Sequence, residues 1–311
     1  MSNKKILITG ANGQLGQVLA AELRKKYGEE AVLVTDVRKL EPQTGNFEYL
    51  DILDTHRFYE IVQDYKITEI YNLAAILSAS GEANPARTWN INLDGMLNVF
   101  DIAKTCKVEK IFHPSSIAVF GDSTPKENTP QFTSLEPSTV YGISKVTGEL
   151  WSKYYFDRYR LDIRALRYPG VIGYQSLPGG GTTDYAVEIF HEALKHGSYE
   201  CFLQKDTRLP MIYMDDVMKA TLDIMEAPKE KIKQRTAYNL AAISFTPEEI
   251  ANEIKKHIPD FKITYKPDYR QAIAESWTES IDDSHARNDW GWKPEFDLAK
   301  MVEDMIRNLK K

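Results

Sequence analysis

Lys4-Lys5-Ile6-Leu7-Ile8-Thr9-Gly10-Ala11-Asn12-Gly13-Gln14-Leu15-Gly16 is an apolar run of strand length that meets glycines at every third position. Residues 14–27 then carry apolar side chains at helical spacing. Strand, glycine turn and helix in that order form the setting in which such a triplet holds a dinucleotide. Glycines permit the tight turn and let the backbone approach a pyrophosphate, while the helix start supplies free N–H groups and the positive end of its dipole. A glycine-rich turn with no ligand is the rival reading, and Asp36 weakens it. This acid ends the next apolar run, 20 residues beyond Gly16, where a carboxylate accepts bonds from the adenosine ribose hydroxyls and repels a 2′-phosphate. Arg38 pulls the other way, but a carboxylate forced against a phosphate dianion is the costlier arrangement. NAD is therefore expected, held by Gly10, Asn12, Gly13, Gln14, Leu15, Gly16, Asp36, Val37 and Arg38.

Outward from this turn, short apolar runs alternate with helical patterns. Residues 4–9, 31–35, 47–50, 69–73, 110–113 and 162–168 read as strands. Helices are expected over 14–27, from the Asn84-Pro85 start, and over 138–159. This alternation predicts an α/β fold, a Rossmann-like doubly wound parallel sheet. After Pro169-Gly170 the elements become shorter and less regular, which places a cofactor domain over residues 1–170 and a smaller α/β substrate lobe over 171–311. Strands at 209–213 and 238–240 are candidates to return to the main sheet. The capping sequence Thr246-Pro247-Glu248-Glu249 opens a helix to residue 258, and a last helix covers 298–309.

Bulk properties remove several function classes. The 311 residues are 42% apolar and 27% charged with a net charge of −6, which argues against a nucleic-acid surface. Cys106 and Cys201 form no ligand cluster and suit a reduced, cytoplasmic protein. No apolar stretch reaches signal-peptide or bilayer length. His113, His191 and His196 do not read as a ligand triad, the last two being expected on a helix surface, so no metal is implied.

Tyr141-Gly142-Ile143-Ser144-Lys145 opens the helix at 138–159. The four-residue spacing puts phenol and ammonium on one face. A free phenol titrates near ~10, and an adjacent ammonium pulls that value toward working pH, making Tyr141 a usable general base. Chance produces such pairs on any helix, but the hydroxyls Ser115 and Ser116 follow the fifth strand. Ser116 can hold a substrate oxygen beside the phenol, with Ser115 as its supporting neighbour. Asp51 and Ile52 are placed to touch the adenine edge, and Leu73-Ala74-Ala75 are small residues where the backbone passes a cofactor.

Taken together, residues 10–16, Asp36, Asn72-Leu73-Ala74-Ala75, the run 115–121, Tyr141 to Lys145 and the run 167–173 resemble the extended short-chain dehydrogenase/reductase family over nearly the whole chain. The resemblance implies that Ser116 polarises the substrate oxygen, Tyr141 exchanges its proton, and Lys145 tunes the tyrosine and holds the nicotinamide ribose. It also implies that Asn92 is the asparagine of the long middle helix, and that Tyr168 and Val171 lie where the backbone meets the carboxamide.

Three features bear on substrate. Sugar dehydratases of the family place Asp-Glu after the catalytic hydroxyl, where this chain has Ile117-Ala118. Epimerases carry an asparagine where it has Arg167-Tyr168-Pro169-Gly170. The stretches 168–185 and 275–292 instead resemble the short-chain L-threonine 3-dehydrogenases, a branch of the same family. Gly181, Thr182 and Thr183 suit a carboxylate, and Asp184 suits an ammonium or equally caps the next helix. Ser78 and Ser80 can donate from the other wall, and Trp277 closes the pocket or belongs to the core. L-Threonine, oxidised at C3 to 2-amino-3-oxobutyrate, is the expected substrate. The alternatives are a nucleotide-sugar 4-epimerase and a non-catalytic NAD-binding regulator. The resemblance implies a homodimer through the helices near 84–106 and 138–159.

Overall fold

A computed structural model of the chain describes residues 4–40, 45–179 and 181–311. The chain divides into two compact units, the first made of residues 1–115, 138–166 and 221–237, the second of 116–137, 167–220 and 238–311. Instead of one break near residue 170, the chain passes from one unit to the other after Ser115, Pro137, Leu166, Ala220 and Ala237.

The first unit contains β1 (Ile6–Thr9), α1 (Gln14–Tyr27), β2 (Val32–Asp36), β3 (Phe47–Tyr49), α2 (Thr55–Asp64), β4 (Glu69–Asn72), α3 (Ser78–Glu82), α4 (Pro85–Trp89), α5 (Gly95–Thr105) and β5 (Lys110–Phe112). After β6 (Ser115–Ser116), it resumes with α6 (Val140–Tyr159) and β7 (Asp162–Arg164). Its sheet runs β3-β2-β1-β4-β5-β7, every pair parallel. Strands β1, β2 and β4 are buried along their whole length, as expected of a sheet with both faces covered. One layer packs Leu7, Leu33, Ile70, Ile111 and Ile163 of the strands with Phe58 and Ile61 of α2 and Val99 and Phe100 of α5. The strand order reverses between β1 and β4, and ligands of such sheets bind outside the carboxyl ends of the strands at that reversal.

Asn84 caps α4 through Arg87 N at 3.1 Å, and Pro85 takes the first turn. The middle helix is not uniform, because Asn90–Asp94 between α4 and α5 is a π-helical turn. Such wider turns re-aim the residues they carry, and here the residue carried is Asn92.

The second unit has its own core. Tyr185, Ile189 and Phe190 of α7 (Tyr185–His196) meet Leu209, Met211 and Tyr213 of β11, Ile250 and Ile254 of α9, and Met301, Val302 and Met305 of α12. The intervening elements are β8 (Leu166–Tyr168), β9 (Gly170–Ile172), β10 (Ser198–Cys201), β11 (Leu209–Tyr213), α8 (Met214–Glu226, which belongs to the first unit from Thr221 on), β12 (Tyr238–Asn239), β13 (Ile243–Phe245), α9 (Pro247–Lys255), β14 (Lys262–Tyr265), α10 (Arg270–Ser276), α11 (Ser284–Trp290) and α12 (Leu298–Leu309). The capping box at Thr246 is formed in both directions.

Two strand expectations change. The stretch 162–168 is two strands: β7 closes the large sheet, while β8 lies between β12 and β6. Strands β11 and β12 do not return to the large sheet; β11 pairs parallel with β9 and antiparallel with β13. Pro169, between β8 and β9, has no N–H with which to continue a ladder, so the chain starts a new sheet there.

Candidate active site

The glycine turn stands at the reversal of the first unit's sheet. Gly10 has φ +64°, and a Cβ on it would lie 2.7 Å from both Cα and N of Ala74. A Cβ on Gly16 would lie 2.5 Å from Ala11 O. Both contacts are with backbone, so neither neighbour can yield cheaply. Gly13 differs: its nearest obstacle is Gly10 O at 3.3 Å. It caps α1 without a side-chain bond, and the first turn of α1 carries no acid. The open backbone, the uncapped helix start and the absence of a competing carboxylate together fit a pyrophosphate.

Asp36 is buried at the end of β2, and its Oδ2 accepts from Asn12 N at 3.0 Å while Oδ1 accepts from Arg38 N at 3.0 Å. The Asn12 amide donates in turn to Arg38 O. Asp36 thus pins the glycine loop to β2, and each oxygen retains a lone pair for a ribose hydroxyl. The Arg38 head stands 3.7 Å from Asp36 and is largely exposed, as is Val37. Leu73 N donates to Thr9 O at 3.1 Å, joining the end of β4 to β1. Asn92 accepts from Ile76 N at 2.8 Å, donates to Ile76 O at 2.9 Å, and reaches Ser144 Oγ at 3.3 Å. Its amide holds the segment after Leu73-Ala74-Ala75 rather than standing open. Asp51 Oδ1 accepts from Leu53 N at 3.0 Å in a local turn, and Ile52 is buried against Gly95.

Tyr141 is the second residue of α6, which Thr139 caps through Gly142 N at 3.1 Å and Glu82 supports through Val140 N at 2.8 Å. One turn on, Lys145 is buried, donates to Pro114 O at 2.7 Å, and has its Nζ 5.4 Å from the centre of the Tyr141 ring. Burial pulls this ammonium down to about 8, while the Glu149 charge acts the opposite way. Beside it, burial and then the Lys145 charge hold the His113 imidazole well below its usual value. Thr9 Oγ donates to Asn72 Oδ1 at 2.6 Å, which leaves the Asn72 amide hydrogens for His113 Nδ1 at 3.2 Å and assigns the ring proton to Nε2.

The depressed lysine gives stability a pH dependence. Its folded value is near 8 and its unfolded value ~10.4, so unfolding takes up a proton between them and stability rises with pH across that window. Relative to Lys145→Met, the unmodified chain is expected to gain up to roughly 3 kcal/mol between pH 7.5 and pH 10.5. Denaturant unfolding at a series of pH values measures it, and parallel profiles for the two proteins would contradict it.

In the second unit, Ser116 Oγ accepts from Ala118 N at 3.2 Å, capping the turn Ile117–Val119. The hydroxyl keeps its own hydrogen to donate. Thr183 packs its methyl group against Gly170, where a Cβ would lie 2.7 Å away; this brings the Gly181–Thr182–Thr183 segment to the start of β9, beside Val171. Asp184 does not cap α7 with its side chain; its Oδ2 accepts from Gly181 N at 2.8 Å and orders the loop instead. Trp277 packs on the core of its unit, and Tyr168 is buried in β8. Ser80 belongs to the first unit, where it is exposed and bonds Leu77 O at 3.2 Å; Ser78 starts α3. His196 is exposed at the end of α7, whereas His191 is half-buried with its Nε2 enclosed. Among the described residues no group of three His, Cys, Asp or Glu is placed to hold a metal ion.

Glu149 is the site residue the motifs passed over. Ser115 Oγ donates to its Oε1 at 2.6 Å, and both residues are buried. Its spacing was the available signal, since it stands four residues beyond Lys145 and eight beyond Tyr141 on one helix.

With this geometry in hand, residues 6–241 match the model of the NAD dependent epimerase/dehydratase family. A relative named L-threonine 3-dehydrogenase, mitochondrial, from Bos taurus is 50% identical over 307 residues, spanning 97% of the chain and 82% of that protein. A solved GalE-like L-threonine dehydrogenase from Cupriavidus necator, in holo form, is 49% identical with TM-score 0.96, over 98% of the chain and 99% of that protein. A monomeric L-threonine 3-dehydrogenase from a metagenome, in apo form, is 48% identical with TM-score 0.95, over 98% of both.

Proposed function

The chain belongs to the NAD dependent epimerase/dehydratase family, and we propose that it oxidises L-threonine at C3 to 2-amino-3-oxobutyrate with NAD as the acceptor. The observation that carries the chemistry is the buried Lys145 one turn behind Tyr141 at the start of α6. Similarity to proteins named L-threonine 3-dehydrogenases over nearly their whole length supports the substrate.

NAD, when bound, accepts the hydride that leaves C3; the remaining tasks fall to the chain's residues. Gly10, Gly13 and Gly16 with the start of α1 seat the pyrophosphate, and Asp36 takes the ribose hydroxyls. The Tyr141 phenolate removes the C3 hydroxyl proton while the Ser116 hydroxyl donates to the same oxygen. Lys145 stabilises the phenolate by its charge. Thr182 and Thr183 receive the substrate carboxylate, and Asp184 opposes its ammonium. Absorbance of NADH with NAD and L-threonine, beside UDP-glucose and other secondary alcohols, tests this reading. Turnover of threonine is expected, and conversion of a UDP-sugar without threonine turnover would overturn it.

The preference for NAD follows from the Asp36 charge. Asp36→Asn keeps an acceptor for Asn12 N but removes the repulsion of a 2′-phosphate. The ratio of kcat/KM for NAD over NADP is expected to fall at least about tenfold, the equivalent of a charge pair at moderate dielectric. An unchanged ratio would exclude Asp36 as the selecting residue. The reading includes a cytoplasmic setting, in keeping with the free thiols Cys106 and Cys201. It also includes a homodimer, for which Trp89, Leu150, Tyr154 and Tyr159 offer exposed apolar surface on α4 and α6; a 36 kDa species in light scattering would remove the dimer.

A further inference from the structure

We propose that Glu149, clamped by the Ser115 hydroxyl, is a positioning residue for the reaction, acting as the buried counter-charge of Lys145. The inference rests on the dehydrogenase reading only in what it says about turnover.

Tyr141, Lys145 and Glu149 follow one another at four-residue steps on α6, so base, ammonium and carboxylate share one face of the helix. Lys145 and Glu149 are both almost fully enclosed. The direct acceptor of Lys145 Nζ is a neutral carbonyl, Pro114 O at 2.7 Å. A neutral acceptor leaves an enclosed ammonium uncompensated, and such a charge is costly unless a counter-charge stands near it. Glu149 supplies that charge and acts to raise the lysine against burial. Ser115 Oγ donates to Glu149 Oε1 at 2.6 Å and so fixes the carboxylate on the face of α6 that carries Lys145.

The other ionisable groups packed around α6 do not compete for the role. His113, at the end of β5, faces Lys145 as a neutral ring whose Nδ1 is taken by Asn72. Glu82 of α3 is turned to Val140 N, and Asp94 of the π-helical turn to Asn90. Asp101 of α5 is turned to Lys104 and Tyr155, and Asp162 of β7 to Arg164 and Arg235. Gly148 keeps the helix close to this cluster, since a Cβ there would lie 3.1 Å from both His113 Nε2 and Met96 Sδ.

Glu149→Gln keeps the shape and an acceptor for Ser115 but deletes the charge. In the otherwise unchanged protein it is expected to lower Tm. In a Lys145→Met background, where the lysine charge is gone, the same substitution is expected to leave Tm unchanged or raise it. The same fall in both backgrounds overturns the proposal, because a residue that only packs or bonds Ser115 does not sense the lysine charge. For turnover of L-threonine, Glu149→Gln is expected to move the alkaline limb of the kcat–pH profile at least half a unit toward acid. A lower kcat with the limb unmoved also overturns it. The thermal comparison needs no substrate, so a protein inactive with threonine defeats the functional reading while the charge pairing is judged independently.

Discussion

Tyr141→Phe is expected to lower NADH formation from L-threonine by about 10²- to 10⁴-fold, the usual contribution of a positioned general base. The substitution removes one oxygen from a ring at the start of α6 and leaves the helix cap at Thr139, the Lys145 bond to Pro114 and the glycine turn untouched. Binding of NAD, followed by fluorescence or calorimetry, is therefore expected to stay within a few-fold of the unmodified protein. The loss belongs to kcat, because an interaction made with the proton in flight is absent from the ground state. Retention of more than a tenth of the activity would transfer the role of base to another group.

Gly10→Ala is expected to act on the fold as well as on the cofactor. Its φ of +64° is adverse for a residue with a Cβ, at a cost on the order of 1–3 kcal/mol. The added methyl would also meet Ala74 Cα and N at 2.7 Å, and relief requires β1 and β4 to part at their carboxyl ends. Forced overpacking of this kind costs about another 1–3 kcal/mol. A loss of about 2–6 kcal/mol in denaturant unfolding, with NAD affinity reduced at least tenfold in whatever remains folded, is the combined expectation. A variant as stable as its parent would mean that the turn is not as tight as described.

The parts of this molecule legible in sequence are those where local chemistry and global packing agree. α1 and α12 have the bounds that their periodicity predicts, and the capping box at Thr246 forms as written. The glycine turn was legible because each glycine answers to a backbone contact one element away. The break at Ala165 was not: Asp162, Ile163, Arg164, Leu166, Arg167 and Tyr168 are all buried, so no inside–outside alternation marks where the strand changes sheet. The π-helical turn at Asn90–Asp94 lacks a sequence signal for a similar reason, since its one-residue slip leaves a helical pattern intact.

The candidate site divides along the same line. Residues in a motif carry a type and a spacing from which a task can be proposed, as with Asp36, Tyr141 and Lys145. Residues whose task is to hold others depend on contacts between distant segments. Asn92 grips the backbone of Ile76, Asp184 orders Gly181 instead of capping α7, and Glu149 answers Ser115 across 34 residues of chain. Asn92 entered by resemblance and Asp184 by its place before α7, and neither backbone bond is announced by the residue types around it.

In the proposed reaction a hydride leaves C3 of L-threonine as the C3 hydroxyl loses its proton. L-Threonine carrying deuterium at C3 tests this most directly, with the reduced cofactor read by mass spectrometry. Reduced nicotinamide one mass unit heavier than that from unlabelled threonine is expected. Formation of unlabelled NADH from the C3-deuterated substrate, or label appearing instead from threonine deuterated at C2, would contradict it.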